Sequence, residues 1–357
     1  MQSKRISFSI AGRPIGDNQP TFIIAEAAST HDGKLNQAYE LIDIAVAAGA
    51  DAVKFQIYSA ETISVDTKNP ISRIKNPKTG EETNLYQLYK RLQAPRGWTP
   101  KLAKRAKENG IIYLSTPFDY QAVEELEEVE VAAYKIANFE ITDTPFINHI
   151  ARKKKPIILS AGMCYLGEIE EAVATIEGTG NYQIAILHTI LGEGYPSKPE
   201  EANLRMIETM RQAFAYPIGL SDHTMSLTIP AVAVAVGARI IEKHFTVSRK
   251  LKSYDHSFSL EPDELKQMID NIRETEKALG SPIIRPLDSE MIRRKRARRS
   301  IFAIRNISAG QTITKADMAI LRPGIGLEPK YLDLFVGKKA SRPIKKNQPL
   351  SWDDITS

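Results

Sequence analysis

The stretch IGLSDHTMSLTIPAVAVAVGARIIEKHFT (218–246) decides the fold. Two apolar runs rich in β-branched residues flank one apolar helical segment, and this βαβ pattern requires parallel strands. Each run ends in a polar tip that carries a histidine, His223 and His244. Because the carboxyl ends of parallel strands meet at one site, we expect the two imidazoles to face each other there. The pair is a candidate metal site, although two histidines alone favour the alternative that hydrogen bonds in a polar barrel mouth hold both rings.

Six similar apolar runs precede this stretch, in alternation with helical patterns: TFIIAEAA (21–28), DAVKFQIY (51–58), IIYLSTPF (111–118), AAYKIANFE (132–140), PIILSAGM (156–163) and QIAILHTI (183–190). Eight strand–helix units in roughly 280 residues match an α/β fold of the (β/α)8 TIM-barrel type, which typically takes ~250 residues. Continuous apolar runs fit a sheet that is buried on both faces. No Gly-x-Gly-x-x-Gly follows the first run, which disfavours a dinucleotide-binding doubly wound sheet.

A barrel places the polar residues at the carboxyl tips of its strands in one pocket. The tip residues are Glu26, Lys54, Gln56, Ser115, Thr116, Lys135, Asn138, Glu140, Ser160, His188, Ser221, Asp222, His223 and His244. Buried without partners, these lysines, carboxylates, histidines and hydroxyls would be costly. Together they predict a pocket for an anionic ligand and a metal.

The composition changes after residue 280. Residues 281–300 are polar and basic and are interpreted as a linker, and residues 301–357 carry short β-like stretches with Gly and Pro turns. A β-rich module of this size is near the lower limit for independent folding, so we expect it to pack on something larger. In the barrel, KNPKTGEETN (75–84) is expected to be an exposed loop.

Composition and charge restrict the class of protein. The chain of 357 residues is 42% hydrophobic and 25% charged, and its single cysteine, Cys164, excludes an internal disulfide framework. No signal peptide or bilayer-spanning run is found, so a cytoplasmic protein without membrane association is expected. The net charge of +5 comes from the cluster 293–299. The cluster has no interleaved aromatics, so a solvated segment is favoured over nucleic-acid binding, which would depend steeply on salt.

Eight ordered motifs resemble one known family: AEAASTHDG, VKFQ, LSTPF, YKIANFE, ILSAGM, IGLSDHT, EKHFT and LRPGIG. Together they are similar to the sialic acid synthase family over nearly the whole chain, with a C-terminal SAF (antifreeze-like) domain at 301–357. The segment DHSFSLEPDELKQMIDNIR (255–273) also resembles the legionaminic-type and spore coat polysaccharide synthases of that family. The resemblance divides the chain into a synthase barrel (1–280), the basic linker (281–300) and the SAF domain.

The resemblance implies a condensation of phosphoenolpyruvate with an N-acetylated hexosamine, which yields a nonulosonic acid and phosphate. It implies a divalent metal on His223 and His244, usually Mn²⁺ with Mg²⁺ or Co²⁺ as substitutes, that polarises the sugar aldehyde. The phosphoenolpyruvate contacts of the family match Glu26, Lys54, Thr116, Lys135, Asn138, Ser160 and Ser221. Glu140 matches a glutamate with a role in proton handling at C3, so the implied catalytic set is Glu26, Lys54, Lys135, Glu140, His223 and His244.

The family's sugar contacts match Gln56, Phe118, Tyr195, Asp255 and Arg322. Arg322 matches an arginine that reaches the sugar from a neighbouring subunit, which implies a domain-swapped homodimer. Two departures, Thr30 in the first loop and the longer HTILGEGYP loop (188–196), lie beside the expected sugar end, and a third, Asn138 in place of the family's serine, lies at a phosphate contact. They bear on the acceptor more than on phosphoenolpyruvate.

Several alternatives remain open. The acceptor can be N-acetylmannosamine, a 2,4-diacetamido-2,4,6-trideoxy hexose leading to legionaminic or pseudaminic acid, or a different sugar as in a spore-coat-type relative. A different mechanism is a Schiff-base aldolase that uses Lys54 or Lys135. A barrel that binds sugar without catalysis, with the altered 189–199 loop as the reason, is the remaining reading.

Overall fold

The computed structural model describes residues 6–76, 79–192 and 194–356. The described chain falls into two compact units, and the boundary lies between Gly280 and Ser281. Its strands are β1 Phe8–Ile10, β2 Arg13–Ile15, β3 Phe22–Glu26, β4 Ala52–Ile57, β5 Arg73–Lys75, β6 Glu82–Asn84, β7 Ile112–Pro117, β8 Tyr134–Ile136, β9 Ile157–Ala161, β10 Ile184–Thr189, β11 Ile218–Asp222, β12 Ile240–His244, β13 Ser300–Ala303 and β14 Met318–Leu321.

The helices follow the strands in the alternation that the sequence predicts. They are α1 Leu35–Ala48, α2 Ala60–Ile63, α3 Leu85–Leu92, α4 Thr99–Glu108, α5 Tyr120–Glu128, α6 Thr144–Ala151, α7 Leu166–Gly178, α8 Arg205–Ala213, α9 Ile229–Ala235, α10 Pro262–Leu279 and α11 Met291–Ala297. Helix α1 shows how the sequence ends such an element: Gly49 adopts a φ of 85°, and its N–H group caps the carbonyls of Ala45 and Val46.

Eight of the described strands close a parallel barrel in the order β10-β11-β12-β3-β4-β7-β8-β9, which confirms the predicted fold. Residues alternate along each strand, so one set faces the helices and the other faces the barrel interior. The outward set packs with α1, α4, α5, α6, α7, α8, α9 and α10 as the larger of the apolar clusters. The inward set includes Phe22, Ile24, Leu114, Ile158 and Ile240, all fully buried.

The barrel interior is apolar in its lower part and polar at the carboxyl ends of the strands. The hairpin of β1 and β2 contributes Ile10 and Ile15 to the lower apolar cluster, so it closes the bottom of the barrel. Gly219 of β11 faces this crowded interior, where a Cβ atom would stand 2.5 Å from the carbonyl oxygen of Ile240. Only glycine fits there, because a real Cβ atom does not approach that closely.

The connection from β4 to β7 is longer than the others and forms a wall of its own. It contains α2, the antiparallel hairpin of β5 and β6, and α3. The prediction of an exposed loop at 75–84 was wrong at both ends of that segment, because Lys75 pairs with Glu82. Residues 77–78 of the segment lie outside the described residues.

The second unit has a small core of its own. Strands β13 and β14 pair antiparallel, and isolated bridges join further short stretches around buried residues such as Ile301, Phe335 and Leu350. The segment predicted as a linker is more structured than expected, since α11 occupies 291–297 and β13 begins at Ser300. None of the helices in the described part of the chain has both the length and the apolar composition of a membrane span.

Candidate active site

A pocket of about 480 Å³ opens at the carboxyl ends of the barrel strands. The predicted site residues that line it are Glu26, Lys54, Gln56, Thr116, Phe118, Lys135, Asn138, Glu140, Ser160, Tyr195, Ser221, His223, His244 and Asp255. Most of them belong to the inward set of the strands or to the loop that follows a strand. The strand tips therefore converge as the barrel geometry requires.

Two buried lysines form the floor of the pocket. The Lys54 Nζ lies 2.7 Å from Glu26 Oε2 and donates to Thr116 Oγ1 at 3.0 Å. Burial would lower the pKa of Lys54, but the carboxylates of Glu242 and Glu26 outweigh it and raise that pKa, so the ammonium group stays charged. The Lys135 Nζ donates to Ser160 Oγ at 2.5 Å. Burial lowers the pKa of Lys135 to about 8, although Glu242 opposes the change.

Glu242 connects the two lysines, and the sequence analysis did not identify it as a site residue. Its oxygens lie 3.7 Å from Lys54 Nζ and 3.6 Å from Lys135 Nζ, and Ser221 donates to it at 3.0 Å. Burial would raise the pKa of this carboxyl group, but Lys135 and Lys54 together lower it. The signal was present in the sequence, because Glu242 precedes His244 by two residues and therefore shares its face of the strand.

The two histidines face each other at the pocket wall. Their ring centroids are 5.0 Å apart, and the His223 Nδ1 lies 3.0 Å from the Ile190 carbonyl oxygen, to which it donates. Burial lowers the pKa of His223 to about 4, and burial together with His223 lowers the pKa of His244 well below its ordinary value. Both imidazoles are therefore neutral, which is the form that binds a metal.

The residues present fit a metal of which the protein supplies only two ligands. The buried Nδ1 of His244 lacks a hydrogen-bond partner among the described residues, and the carbonyl of Ile190 fixes the tautomer of His223. Within 6–76, 79–192 and 194–356, no group of three or more His, Cys, Asp or Glu is arranged around a common cation position. Further ligands would have to come from substrate or water, as in a catalytic site with open positions.

Glu140 and Asn138 lie beside Lys135, on the short helical turn after β8. Burial raises the pKa of Glu140 to about 7, with Lys135 as the main opposing influence. Glu140 Oε2 and Asn138 Nδ2 are buried and have no hydrogen-bond partner within the described residues. A carboxyl group with such a pKa can accept or donate a proton near neutral pH, which suits a general acid or base.

The opposite side of the pocket is aromatic and aliphatic. Loops after the strands contribute Phe118, Tyr195, Tyr254 and Phe258, and Tyr195 stacks on Phe258 with ring centroids 4.6 Å apart. The connection from β4 to β7 adds a further set that the sequence analysis missed: Tyr58, Ile63, Ile74, Leu85, Leu88, Tyr89 and Leu92. No periodic pattern links these positions to the strand tips, so no simple sequence signal identifies them.

Asp255 is the carboxylate on this side. The backbone N–H group of Ser29 donates to Asp255 Oδ2 at 3.0 Å, and the Ser29 hydroxyl donates to the same oxygen. Burial raises the pKa of Asp255. The loop after β3 therefore holds Asp255 through one carboxylate oxygen at the pocket wall.

Three tips expected in the pocket face the helices instead. Ser115 donates to the carbonyl of Phe55, His188 Nε2 bonds the carbonyl of Ala202 at 2.8 Å, and Asp222 pairs with Lys243. Each is adjacent in sequence to a residue whose side chain faces inward, such as Thr116 or Ser221, so its own side chain faces outward. Arg322 belongs to the second unit, where it is exposed and precedes a cis proline, and its sugar-binding role stays a prediction.

Comparisons with known proteins agree along the whole chain. A model described as the NeuB family matches residues 41–283, and a model described as the SAF domain matches residues 298–356. The spore coat polysaccharide biosynthesis protein SpsE of Bacillus subtilis is 38% identical over 98% of this chain and 97% of its own length. The N,N'-diacetyllegionaminic acid synthase of Legionella pneumophila is 36% identical over 96% of this chain and 97% of its own.

A solved structure gives the same picture. The N-acetylneuraminic acid (sialic acid) synthetase of Leptospira borgpetersenii, in complex with citrate, superposes with a TM-score of 0.73 at 33% identity. The match covers 82% of this chain and 96% of that one.

Proposed function

Because the chain belongs to the NeuB family, we propose that it condenses phosphoenolpyruvate with an N-acetylated amino sugar to give a nonulosonic acid and phosphate. One observation carries the proposal: a single pocket combines two buried lysines on its floor with two neutral histidines and an apolar wall. The floor suits the phosphate and carboxylate of phosphoenolpyruvate, and the wall suits a sugar.

Phosphoenolpyruvate would bind at the floor. Lys54 and Lys135 supply ammonium donors, and Thr116, Ser160 and Ser221 supply hydroxyls from the inward set of three other strands. The unpaired Asn138 Nδ2 adds a further donor. Glu26 and Glu242 hold the two ammonium groups in place before the anion arrives, which limits the reorganisation that binding requires.

In the proposed reaction C3 of phosphoenolpyruvate attacks the aldehyde carbon, and a C–C bond forms. Water adds to C2, and the tetrahedral carbon expels phosphate with cleavage of its C2–O bond, while the aldehyde oxygen takes up a proton. A divalent metal, proposed as Mn²⁺, would be held by His223 and His244 and would supply Lewis-acid polarisation of the aldehyde. Glu140, with a pKa of about 7, would accept the proton that is released as water adds at C2.

The apolar wall favours one acceptor among the candidates. Ile63, Ile74, Leu85, Leu88 and Leu92 face the pocket beyond the floor. Among the described lining residues the cations are the two floor lysines, and the sugar end is lined mainly by apolar and aromatic side chains, which suits an acceptor without a phosphate group. A 2,4-diacetamido-2,4,6-trideoxy hexose places acetamido and methyl groups against such a wall and is the acceptor that we propose over N-acetylmannosamine.

The proposed enzyme acts as a homodimer. Apolar side chains are exposed in the described segment 283–292, and Ile284 is fully accessible at 104% relative exposure. Arg322 belongs to the same unit as this segment, and in the proposed dimer it reaches the pocket of the partner subunit. Mixing H223A protein with R322A protein would restore activity if Arg322 acts in trans, because a mixed dimer holds one intact site. Absence of recovery in subunits that exchange would contradict the swap.

The deciding experiment measures phosphate release from phosphoenolpyruvate with each acceptor, with Mn²⁺ and with EDTA. Release that depends on metal, and on the trideoxy hexose more than on N-acetylmannosamine, is expected. Release without any metal would refute the Lewis-acid role, and trapping of a lysine adduct with borohydride would favour the Schiff-base mechanism. No release with any acceptor from folded, metal-loaded protein would point to a different acceptor or to a barrel that binds sugar without catalysis.

A further inference from the structure

A buried ion pair lies directly behind the two histidines, on the outer side of their strands. Lys243 and Asp222 are cross-strand neighbours in the register of β11 and β12, and both side chains are completely inaccessible. The Lys243 Nζ lies 2.6 Å from Asp222 Oδ2. Nothing in the proposed reaction uses this pair, because alternation along the strands turns it away from the pocket.

Lys243 binds the chain on both sides of His223. Its ammonium group contacts the side chain of Asp222 and donates to the carbonyl of Thr224, with a longer contact of 3.5 Å to the carbonyl of Ser226. The other oxygen of Asp222 accepts the N–H group of Thr224 at 2.8 Å. The residues before and after His223 are therefore fixed by one ammonium group, and that group belongs to the residue before His244.

A buried pair of this kind is weak evidence for stability, since apolar residues of similar volume often replace such pairs without loss. The pair is better explained by its effect on the orientation of the chain around His223. The turn 222–226 leaves the barrel immediately after the strand, where one isolated bridge between Thr224 and Ser197 continues the ladder, and Lys243 adds anchors from the neighbouring strand. We propose that Lys243 and Asp222 are positioning residues that set the separation of His223 and His244 for metal binding.

This inference rests on the proposed metal site, so the test uses a readout other than turnover. The variant D222N/K243M removes both charges together, and the Asn oxygen can still accept the Thr224 N–H group. Thermal unfolding reports its fold, electron paramagnetic resonance measures its affinity for Mn²⁺, and calorimetry without metal measures its affinity for phosphoenolpyruvate. A matched control, E127Q/K155M, removes a lysine–glutamate pair with a 2.7 Å contact at the opposite end of the barrel strands.

We expect the double variant to fold and to lose about 10–100-fold in Mn²⁺ affinity, the range typical of residues that orient metal ligands. Its phosphoenolpyruvate affinity should stay within about twofold of the wild-type value, and the control should keep both affinities. A Mn²⁺ affinity within about threefold of the wild-type value would overturn the inference. A loss of affinity for both Mn²⁺ and phosphoenolpyruvate, together with a lower melting temperature, would overturn it as well, because it would show general damage. If the double variant does not fold, D222E, which keeps both charges but displaces the carboxylate, decides by the same criteria.

The outcome is separable from the proposed function. Wild-type protein that binds no Mn²⁺ would remove the metal site and the proposed chemistry with it. Wild-type binding that the double variant retains would leave the proposed function intact and remove only the positioning role.

Discussion

Replacement of Glu140 by Gln should remove the part of the acid limb of the pH–activity profile that comes from the enzyme. Burial raises the pKa of Glu140 to about 7, so its ionised form accumulates only as the pH rises through that value. Lys135, with a pKa lowered by burial to about 8, loses its charge as the pH rises further. If the reaction needs ionised Glu140 and charged Lys135, kcat/KM follows a bell with limbs near these two values.

The expected size of the effect follows from the two titrations. The fraction of enzyme in the active form is greatest near about pH 7.5 and falls to about one-seventh of that maximum at about pH 6 and at about pH 9. The E140Q variant should lose activity about 10²–10⁴-fold at the optimum, the range for a general acid or base, and should keep the alkaline limb and only the part of the acid limb that comes from the substrate.

The assay is phosphate release at subsaturating phosphoenolpyruvate from about pH 5.5 to 9.5. A phosphate ester has its own ionisation near pH ~6, so part of the acid limb can come from the substrate. That part remains in E140Q and is thereby separated from the contribution of Glu140. An unchanged acid limb in E140Q, with activity lowered or not, would refute the assignment of the proton-transfer role to this carboxyl group.

Three further predictions concern the metal ligands, the floor and the wall. Replacing His223 or His244 by Ala should abolish the stabilisation of about 2.7 kcal/mol that Mn²⁺ at a hundred times its Kd gives a protein that binds it, and a retained shift in thermal unfolding would count against these ligands. Replacing Lys54 by Met should lower the free energy of unfolding at pH 7.5 by about 3–5 kcal/mol, because buried Glu26 loses its cation and Glu242 keeps only Lys135, and an unchanged urea midpoint would contradict this. Replacing Leu88 by Asn should raise KM for the trideoxy acceptor about tenfold and leave KM for phosphoenolpyruvate unchanged. The control L279N, at an exposed position, should alter neither KM. Equal effects of L88N on both KM values would show general damage to the fold.

The barrel and the floor of its pocket could be predicted because they follow from one rule of chain geometry. Eight apolar runs imply eight parallel strands, and parallel strands bring Lys54, Lys135 and His244 to the same end. A position near a strand end does not show which way the side chain points. Ser115 and Asp222 lie as close to strand ends as Thr116 and Ser221, but their side chains face the helices. Strict use of the two-residue alternation would have rejected both and included Glu242.

The wall could not be predicted in the same way. Leu88 and Tyr89 belong to a connection whose course depends on how α2, the β5–β6 hairpin and α3 pack together. That packing is a tertiary property with no short-range signature, and one end of the hairpin even reads as an exposed loop. The proposal for the acceptor therefore depends on the structure, whereas the sequence alone predicted an anion-binding pocket.

The hairpin of β1 and β2 closes the bottom of the barrel, so within the described residues the pocket opens at the carboxyl ends of the strands. The hairpin's Ile10 and Ile15 fill the interior below the lysines, so nothing can leave through the floor. In the proposed reaction the phosphate-bearing substrate lies deepest and the sugar lies above it. Both substrates then use the same opening, which fixes the order of binding and release. Phosphoenolpyruvate binds first, and the nine-carbon acid leaves before phosphate. Free phosphate competes with the next phosphoenolpyruvate for the floor of the pocket.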